Sequence, residues 1–170
     1  DIEQIHHNSM RVLSQVGVLF PAEEALAAFR AHNVRTDGSR VYLTEDQVMQ
    51  AIQFAPRTFT IHARNPQRNV VVGDGVPVFA PGYGAPFIVD LETGKRGATM
   101  DDYHQLARLA HSLPNQDMGG HLMAEPGDVD SMAAHLLMLQ ANILHSDKAF
   151  IGSAVGERGA RHTMEMAAIL

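Results

Sequence analysis

Over the opening of the chain, Ile2, Ile5, Val12, Leu13 and Val16 recur at spacings of three and four. That rhythm places them on one buried face of a helix, which Gly17 can close in a left-handed cap. Pro21 suits the first turn of a second helix, where Glu23 and Glu24 meet the positive dipole end and Leu26 and Phe29 turn inward. Thr36 to Ser39 reads as a turn and Val41 to Leu43 as a short strand. Thr44 with Gln47 forms a capping-box pattern that opens a third helix, carried inward by Val48 and Ile52 and stopped by Pro56.

From Thr58 the period shortens to two. Phe59, Ile61 and Ala63 alternate with polar neighbours, and Val70 to Val72, Val76 to Phe79 and Phe87 to Leu91 follow as strands between glycines. The expectation is one compact antiparallel meander. Thr99, with Asp102 three positions later, then caps a helix that turns Tyr103, Leu106, Ala107 and Ala110 inward and ends before Pro114.

The last third alternates in larger blocks. Met118 to Met123 is an apolar run, Glu125 to Asp128 a loop, and Met132 to Leu144 a helix. Ala149 to Ala154 then reads as a buried strand, Val155 to Gly159 as a loop, and Ala160 to Leu170 as a helix. Apolar strands alternating with helices predict parallel α/β units. The fold class is therefore α/β: residues 1–115 form a helical and antiparallel β segment, and residues 116–170 form two strand–helix units, the start of a (β/α)8 TIM barrel left incomplete at this length. The chain opens inside a helical pattern without Met and stops in an apolar helical run, so we expect a portion of a longer protein.

Composition narrows the chemistry more than it names it. With 45% hydrophobic and 19% charged residues the chain can build a real core. A net charge of -6 argues against a surface that neutralises nucleic-acid phosphates or anionic lipid. The absence of cysteine excludes disulfides, thiolate zinc sites and a cysteine nucleophile, and fits a reducing cytoplasm. No apolar run reaches the roughly 20 residues that span a bilayer.

Three familiar sites are also absent. In "GYGAPF", Phe87 stands where a dinucleotide-binding fingerprint needs its third glycine, and neither "GDG" nor "GYG" leads into Gly-Lys-Ser/Thr. Among the 10 histidines there is no His-Glu-x-x-His; His6 and His7 diverge on a helix, and His162 with Glu165 is more simply a solvated helix face, so no metal is assigned. Ser153 in "GSAVG" lacks the second glycine of a nucleophile elbow. What remains is topological. Glu125, Asp128 and Asp130 follow the first barrel strand and Glu157 and Arg158 the second, at the face where such barrels place chemistry, although for any one of them loop solubility, or helix capping by Asp130, is the commoner role. Phe79, Tyr83 and Phe87 form the one local aromatic cluster, and an aromatic face can hold a quaternary ammonium; strand packing is the commoner role.

The succession of "QVGVLFPAEEALAAFRAHNV", "QAIQFAPRTFTIHARNPQRNVVVG", "PGYGAPFIVDLETGKRGATMDDYHQLARLAHSLPNQD" and "LMLQANILHSDKAFIGSAVG" resembles the N-terminal part of the trimethylamine methyltransferase superfamily over almost the whole chain. The resemblance implies a (β/α)8 barrel and methyl transfer from a tertiary or quaternary methylated amine to a partner corrinoid protein. The cobamide would be carried by that partner and not by this chain. It further implies Tyr83, Met123 and Glu125 as substrate-binding residues near the barrel mouth, with catalytic residues unknown and a homo-oligomer expected. Relatives often carry proline after Asp-Lys, where this chain has Ala149. A non-catalytic binding or assembly module built on the same fold is the alternative.

Overall fold

The computed structural model describes residues 1–152 and 156–169. Ser153, Ala154 and Val155, which include the "GSAVG" serine and the end of the expected second barrel strand, lie outside the described residues, as does the side chain of Met132. The chain divides into two compact units, Asp1–Pro56 and Arg57–Leu170. The 115/116 boundary read from the alternation of strands and helices falls inside the second unit.

In the first unit, helix α1 (Ile2–Arg11) runs on into a π-helical turn, Val12–Val16, that ends at Gly17. Gly17 has φ 73°, and a Cβ there would lie 2.7 Å from the Val41 carbonyl oxygen, so both backbone and space require glycine. The expected buried face is only partly realised: Leu13 is half-buried, whereas Ile2, Ile5, Val12 and Val16 are exposed. Strands β1 (Val18–Leu19), β2 (Arg35–Asp37) and β3 (Arg40–Tyr42) form an antiparallel sheet in the order β1-β3-β2. Residues 36 and 37, expected in a turn, are in β2; the reversal is confined to Gly38 and Ser39. Helix α2 (Glu23–Ala31) buries Leu26 and sets Phe29 against Phe20 at 4.8 Å between ring centroids. Helix α3 (Glu45–Gln53) opens with the reciprocal Thr44 and Gln47 capping box anticipated from the sequence.

In the second unit the expected meander separates into two hairpins. Strand β4 (Phe59–Ile61) pairs with β5 (Val70–Val72), and β6 (Phe87–Asp90) with β7 (Gly94–Gly97). Val76 to Phe79 is not a strand: Gly73 and Gly75 have positive φ, the Asp74 carboxylate turns back onto the Val76 amide, and Pro77 has no N–H for a ladder. Phe79 instead joins Asp117, its N–H donating to the carboxylate and its carbonyl accepting from the Asp117 and Met118 amides.

Helix α4 (Met100–Ser112) starts with the Thr99 and Asp102 capping box, and Arg96 grips the Asp102 carboxylate with both terminal nitrogens. Strand β8 (Gly119–Gly120), helix α5 (Ser131–His145) and strand β9 (Phe150–Ile151) form a strand–helix–strand unit, with β8 and β9 parallel. Asp130 accepts from the Ala133 amide, as an N-cap should. Helix α6 (Gly156–Ala167) begins earlier than its apolar pattern indicates. Residues 156–159 are helical rather than loop, and Glu157 and Arg161 close an i,i+4 ion pair at 2.6 Å. The main core joins α4, α5 and the chain after β8 through Tyr103, Ala107, Ala110, Met123, Ala124, Ala134, Met138 and Ala141. Its many alanines let the two helices approach closely. The described chain is thus mixed α/β with small sheets and no closed barrel.

Candidate functional site

The segment Pro81–Ala85 crosses the ends of both parallel strands. Gly84, at φ 75°, donates its N–H to the Leu122 carbonyl at 2.8 Å, and the Glu125 N–H donates to the Ala85 carbonyl at 2.9 Å. The Tyr83 hydroxyl donates to the Ile151 carbonyl of β9 at 3.2 Å. What lets the segment lie so close is Gly120: a Cβ there would stand 2.8 Å from Pro81 Cγ, 3.3 Å from Met123 Cγ and 3.4 Å from Tyr83 Cε2. The Gly-Tyr-Gly stretch is therefore a strap over the strand ends, held by backbone hydrogen bonds.

Tyr83 and Met123 come together. Both line a hollow of about 290 Å³, closed on its other side by Leu106, Leu109, Ala110 and Leu113 of α4 and the turn that follows. Met123 is buried, while Tyr83 keeps about half of its surface (48%) open. Glu125 sits beside this hollow and not in its wall; its carboxylate oxygen lies 3.7 Å from where a Cβ on Gly84 would be. Glu125 is exposed and has no ion-pair partner among the described residues. Of the other acidic candidates, Asp128 accepts from the Met100 amide at 2.8 Å and so joins the loop after β8 to the start of α4. Glu157 is engaged with Arg161. Phe79 and Phe87 do not line the hollow with Tyr83; Phe87 lies under the Lys95 ammonium at 4.2 Å.

Behind the strap are buried polar groups that spacing alone does not reveal. Tyr103, fully buried on α4, directs its hydroxyl at the Gly120 carbonyl (3.0 Å) and the His121 carbonyl. The Asn142 amide of α5 donates to that hydroxyl at 2.6 Å and reaches the Gly120 carbonyl at 3.1 Å. Desolvation raises the Tyr103 pKa well above the ordinary tyrosine range, so the network is neutral.

Beside it His121 and His135 share a hydrogen bond of 3.2 Å, and His135 Nε2 faces the Gly159 carbonyl at 3.2 Å. The Thr163 hydroxyl stands 3.3 Å from the same Nε2 and donates to the Gly159 carbonyl at 2.9 Å. His121 Nδ1 is buried without a hydrogen-bond partner among the described residues. Burial, and secondarily the neighbouring His135, pushes the His121 pKa down to about 4. Asn142 and His135 are seven residues apart on α5, which also carries Gln140 and His145, so their spacing does not single them out. No group of three or more metal-ligating side chains occurs among the described residues.

The whole chain, residues 1–170, matches the sequence model of the family described as trimethylamine methyltransferase (MTTB). The chain belongs to the trimethylamine methyltransferase family. Among its relatives, a glycine betaine methyltransferase of Desulfitobacterium hafniense (strain Y51) is 45% identical over 169 residues, covering 99% of this chain and 35% of the relative. A proline betaine:corrinoid methyltransferase of Eubacterium limosum is 29% identical over 164 residues, or 95% of this chain and 33% of the relative. A trimethylamine methyltransferase of Desulfitobacterium hafniense (strain DSM 10664 / DCB-2) is 25% identical over 171 residues, 99% of this chain and 34% of the relative. The chain thus spans about a third of the length of the trimethylamine methyltransferase family members it matches.

Proposed function

We propose that the full-length protein moves a methyl group from a methylated amine to a partner corrinoid protein, with a quaternary amine of the glycine betaine type as the substrate class. The observation that carries this reading is the 45% identity, over nearly the whole chain, to a glycine betaine methyltransferase. The site geometry is in keeping with it. A half-exposed tyrosine ring and a buried methionine border a small hollow, with the Glu125 carboxylate alongside, and an aromatic face beside a carboxylate attracts a cationic methylammonium head. Tyr83, Met123 and Glu125 are assigned here as substrate-binding residues.

In this transfer the bond from the methyl carbon to nitrogen breaks, its electron pair stays on nitrogen, and the amine leaves neutral. The corrinoid supplies the nucleophile and takes up the methyl group. A quaternary ammonium needs no proton from the protein, so the residues around it have only to align the methyl group and exclude water. A hollow of about 290 Å³ suits a small amine and is far smaller than a corrin macrocycle, which supports leaving the cobamide on its partner.

The parallel β8-α5-β9 unit and the helix after it support reading residues 116–170 as the opening of a (β/α)8 barrel, with residues 1–115 before it. Self-association and a cytoplasmic setting belong to the same proposal. No helix among the described residues is long and apolar enough to cross a membrane.

The test is a demethylation assay on the full-length protein with its reduced corrinoid partner and glycine betaine. The expected result is one dimethylglycine formed for each methyl group gained by the corrinoid. Absence of demethylation with every quaternary and tertiary amine tried would overturn the reading in favour of a binding or assembly role.

A further inference from the structure

The strap that carries Tyr83 is only as well placed as the strand end beneath it. Gly120 receives Pro81 and Tyr83 on one face, Leu122 accepts the Gly84 amide, and Met123 lines the hollow, so residues 120–123 set the position of every strap contact except the tyrosine hydroxyl and the Glu125 amide. The two carbonyls at this point of the chain, Gly120 and His121, are held from behind by the Tyr103 hydroxyl and the Asn142 amide. These groups arrive from two different helices. They also hold each other, at 2.6 Å, and Asn142 is anchored again by its own helix at the Met138 carbonyl, 3.1 Å.

We infer that Tyr103 and Asn142 are positioning residues for the substrate site: together they fix the Gly120–Met123 segment and, through it, the ring of Tyr83. The inference rests on the substrate-site reading given above for its functional consequence, though not for its structural one. Phenylalanine at position 103 would fill almost the same volume among Ala107, Met123 and Met138, so volume does not account for the hydroxyl. A hydroxyl supplies direction instead. It accepts from one helix and donates to the strand end, which defines where that end stands relative to both helices.

The experiment uses the full-length protein with Tyr103→Phe and, separately, Asn142→Leu. Amide hydrogen exchange is read at Gly84 and Glu125, whose N–H groups make the strap bonds, together with the thermal midpoint and the KM and kcat for glycine betaine. We expect Tyr103→Phe to accelerate exchange at both amides by tenfold or more and to raise KM several-fold while kcat changes less. Asn142→Leu should act in the same direction.

If Tyr103→Phe lowers the thermal midpoint but leaves both amides protected as in wild type, the residue is merely structural and the inference is overturned. Should Asn142→Leu fail to fold, Tyr103→Phe alone decides. If the wild-type protein turns over no methylated amine, the functional reading fails on its own, and the exchange measurement still decides whether this pair positions the strap.

Discussion

Gly120 faces Pro81 across a gap that admits no methyl group: a Cβ on Gly120 would come within 2.8 Å of Pro81 Cγ. The proline ring cannot rotate away, and Tyr83 and Met123 close the other sides. Gly120→Ala should therefore push the strap off the strand end and destabilise the protein by about 1–3 kcal/mol, the usual range for overpacking. Gly82→Ala, where a Cβ would meet nothing within 4 Å, is the control and should be close to neutral. Urea denaturation of the two variants gives the comparison.

Much of this architecture is legible in the sequence because it is local. The Thr44/Gln47 and Thr99/Asp102 capping boxes, the cap at Gly17 and the alternation that begins at Met118 all depend on residues within a few positions of one another. What is not legible depends on distant partners. Val76 to Phe79 has strand-like residues, yet Phe79 bonds to Asp117, 38 positions away, rather than to a neighbouring strand. Tyr103 reads as one more inward aromatic, and its role follows only from Gly120 and Asn142 meeting its hydroxyl. That Tyr83 and Met123 border one hollow also depends on distance in the chain, since Gly120 brings the two side chains together across about 40 positions. Glu125, two positions beyond Met123, stands beside the hollow.

Lys148 predicts a stability effect. It is buried, and its ammonium donates to the carbonyls of Ala110, Leu113 and Gln116 at 2.8, 2.7 and 2.6 Å. Ala110 lies in the last turn of α4, where carbonyls lack intrahelical donors. Burial lowers the lysine pKa, but three oriented acceptors give the charge a place. Lys148→Met takes the donor from the Ala110 and Gln116 carbonyls, leaving Leu113 only the Gln116 amide at 3.4 Å, and should cost about 1–3 kcal/mol. Lys148→Arg should not restore it, since a planar guanidinium cannot converge on three acceptors as an ammonium does. Denaturant midpoints of the three proteins provide the check.

The capping box of α4 should be worth more on its carboxylate side. Asp102 accepts from Arg96 and from both the amide and hydroxyl of Thr99, and these contacts, the Arg96 hydrogen bonds foremost, hold its pKa far below the usual carboxylate range. Thr99→Ala should cost about 1 kcal/mol, as cap removals do. Asp102→Ala should cost more, because it also removes the two Arg96 hydrogen bonds and leaves the guanidinium only its contacts with Asp90 and the Gly97 carbonyl. Equal losses in the two variants would show that the Arg96 pair adds nothing.

The buried His121 imidazole predicts acid sensitivity of a definite sign. The His121 pKa falls from 6.5 to about 4 in the folded protein, chiefly through burial, so the unfolded chain binds the proton more readily. The stabilisation is complete above pH 6.5 and is lost as pH falls towards 4, amounting to about 3 kcal/mol at most for this group. His121→Phe removes the titration, and its stability should decline less steeply than wild type between pH 6.5 and 4 even if its stability at pH 7 is lower. Parallel slopes for the two proteins would mean that His121 does not bind the extra proton on unfolding.

Tyr83 allows the binding proposal to be separated into ring and hydroxyl. The hydroxyl is engaged with the Ile151 carbonyl, and the ring presents its open surface at the hollow. Tyr83→Phe keeps the aromatic face and removes only the bond to β9, so it should raise KM for glycine betaine in the full-length enzyme slightly. Tyr83→Leu removes the face as well. A cation over an aromatic ring gains about 0.5–2 kcal/mol, so the leucine variant should bind roughly 2- to 30-fold more weakly. Glu125→Gln, which keeps the shape and removes the negative charge, should weaken the cation further in wild type and raise KM again when added to Tyr83→Leu. The deciding observation is the difference between Phe and Leu at position 83. If both variants bind equally, the ring face does not contact the ammonium head, and the hollow beside Met123 serves packing alone.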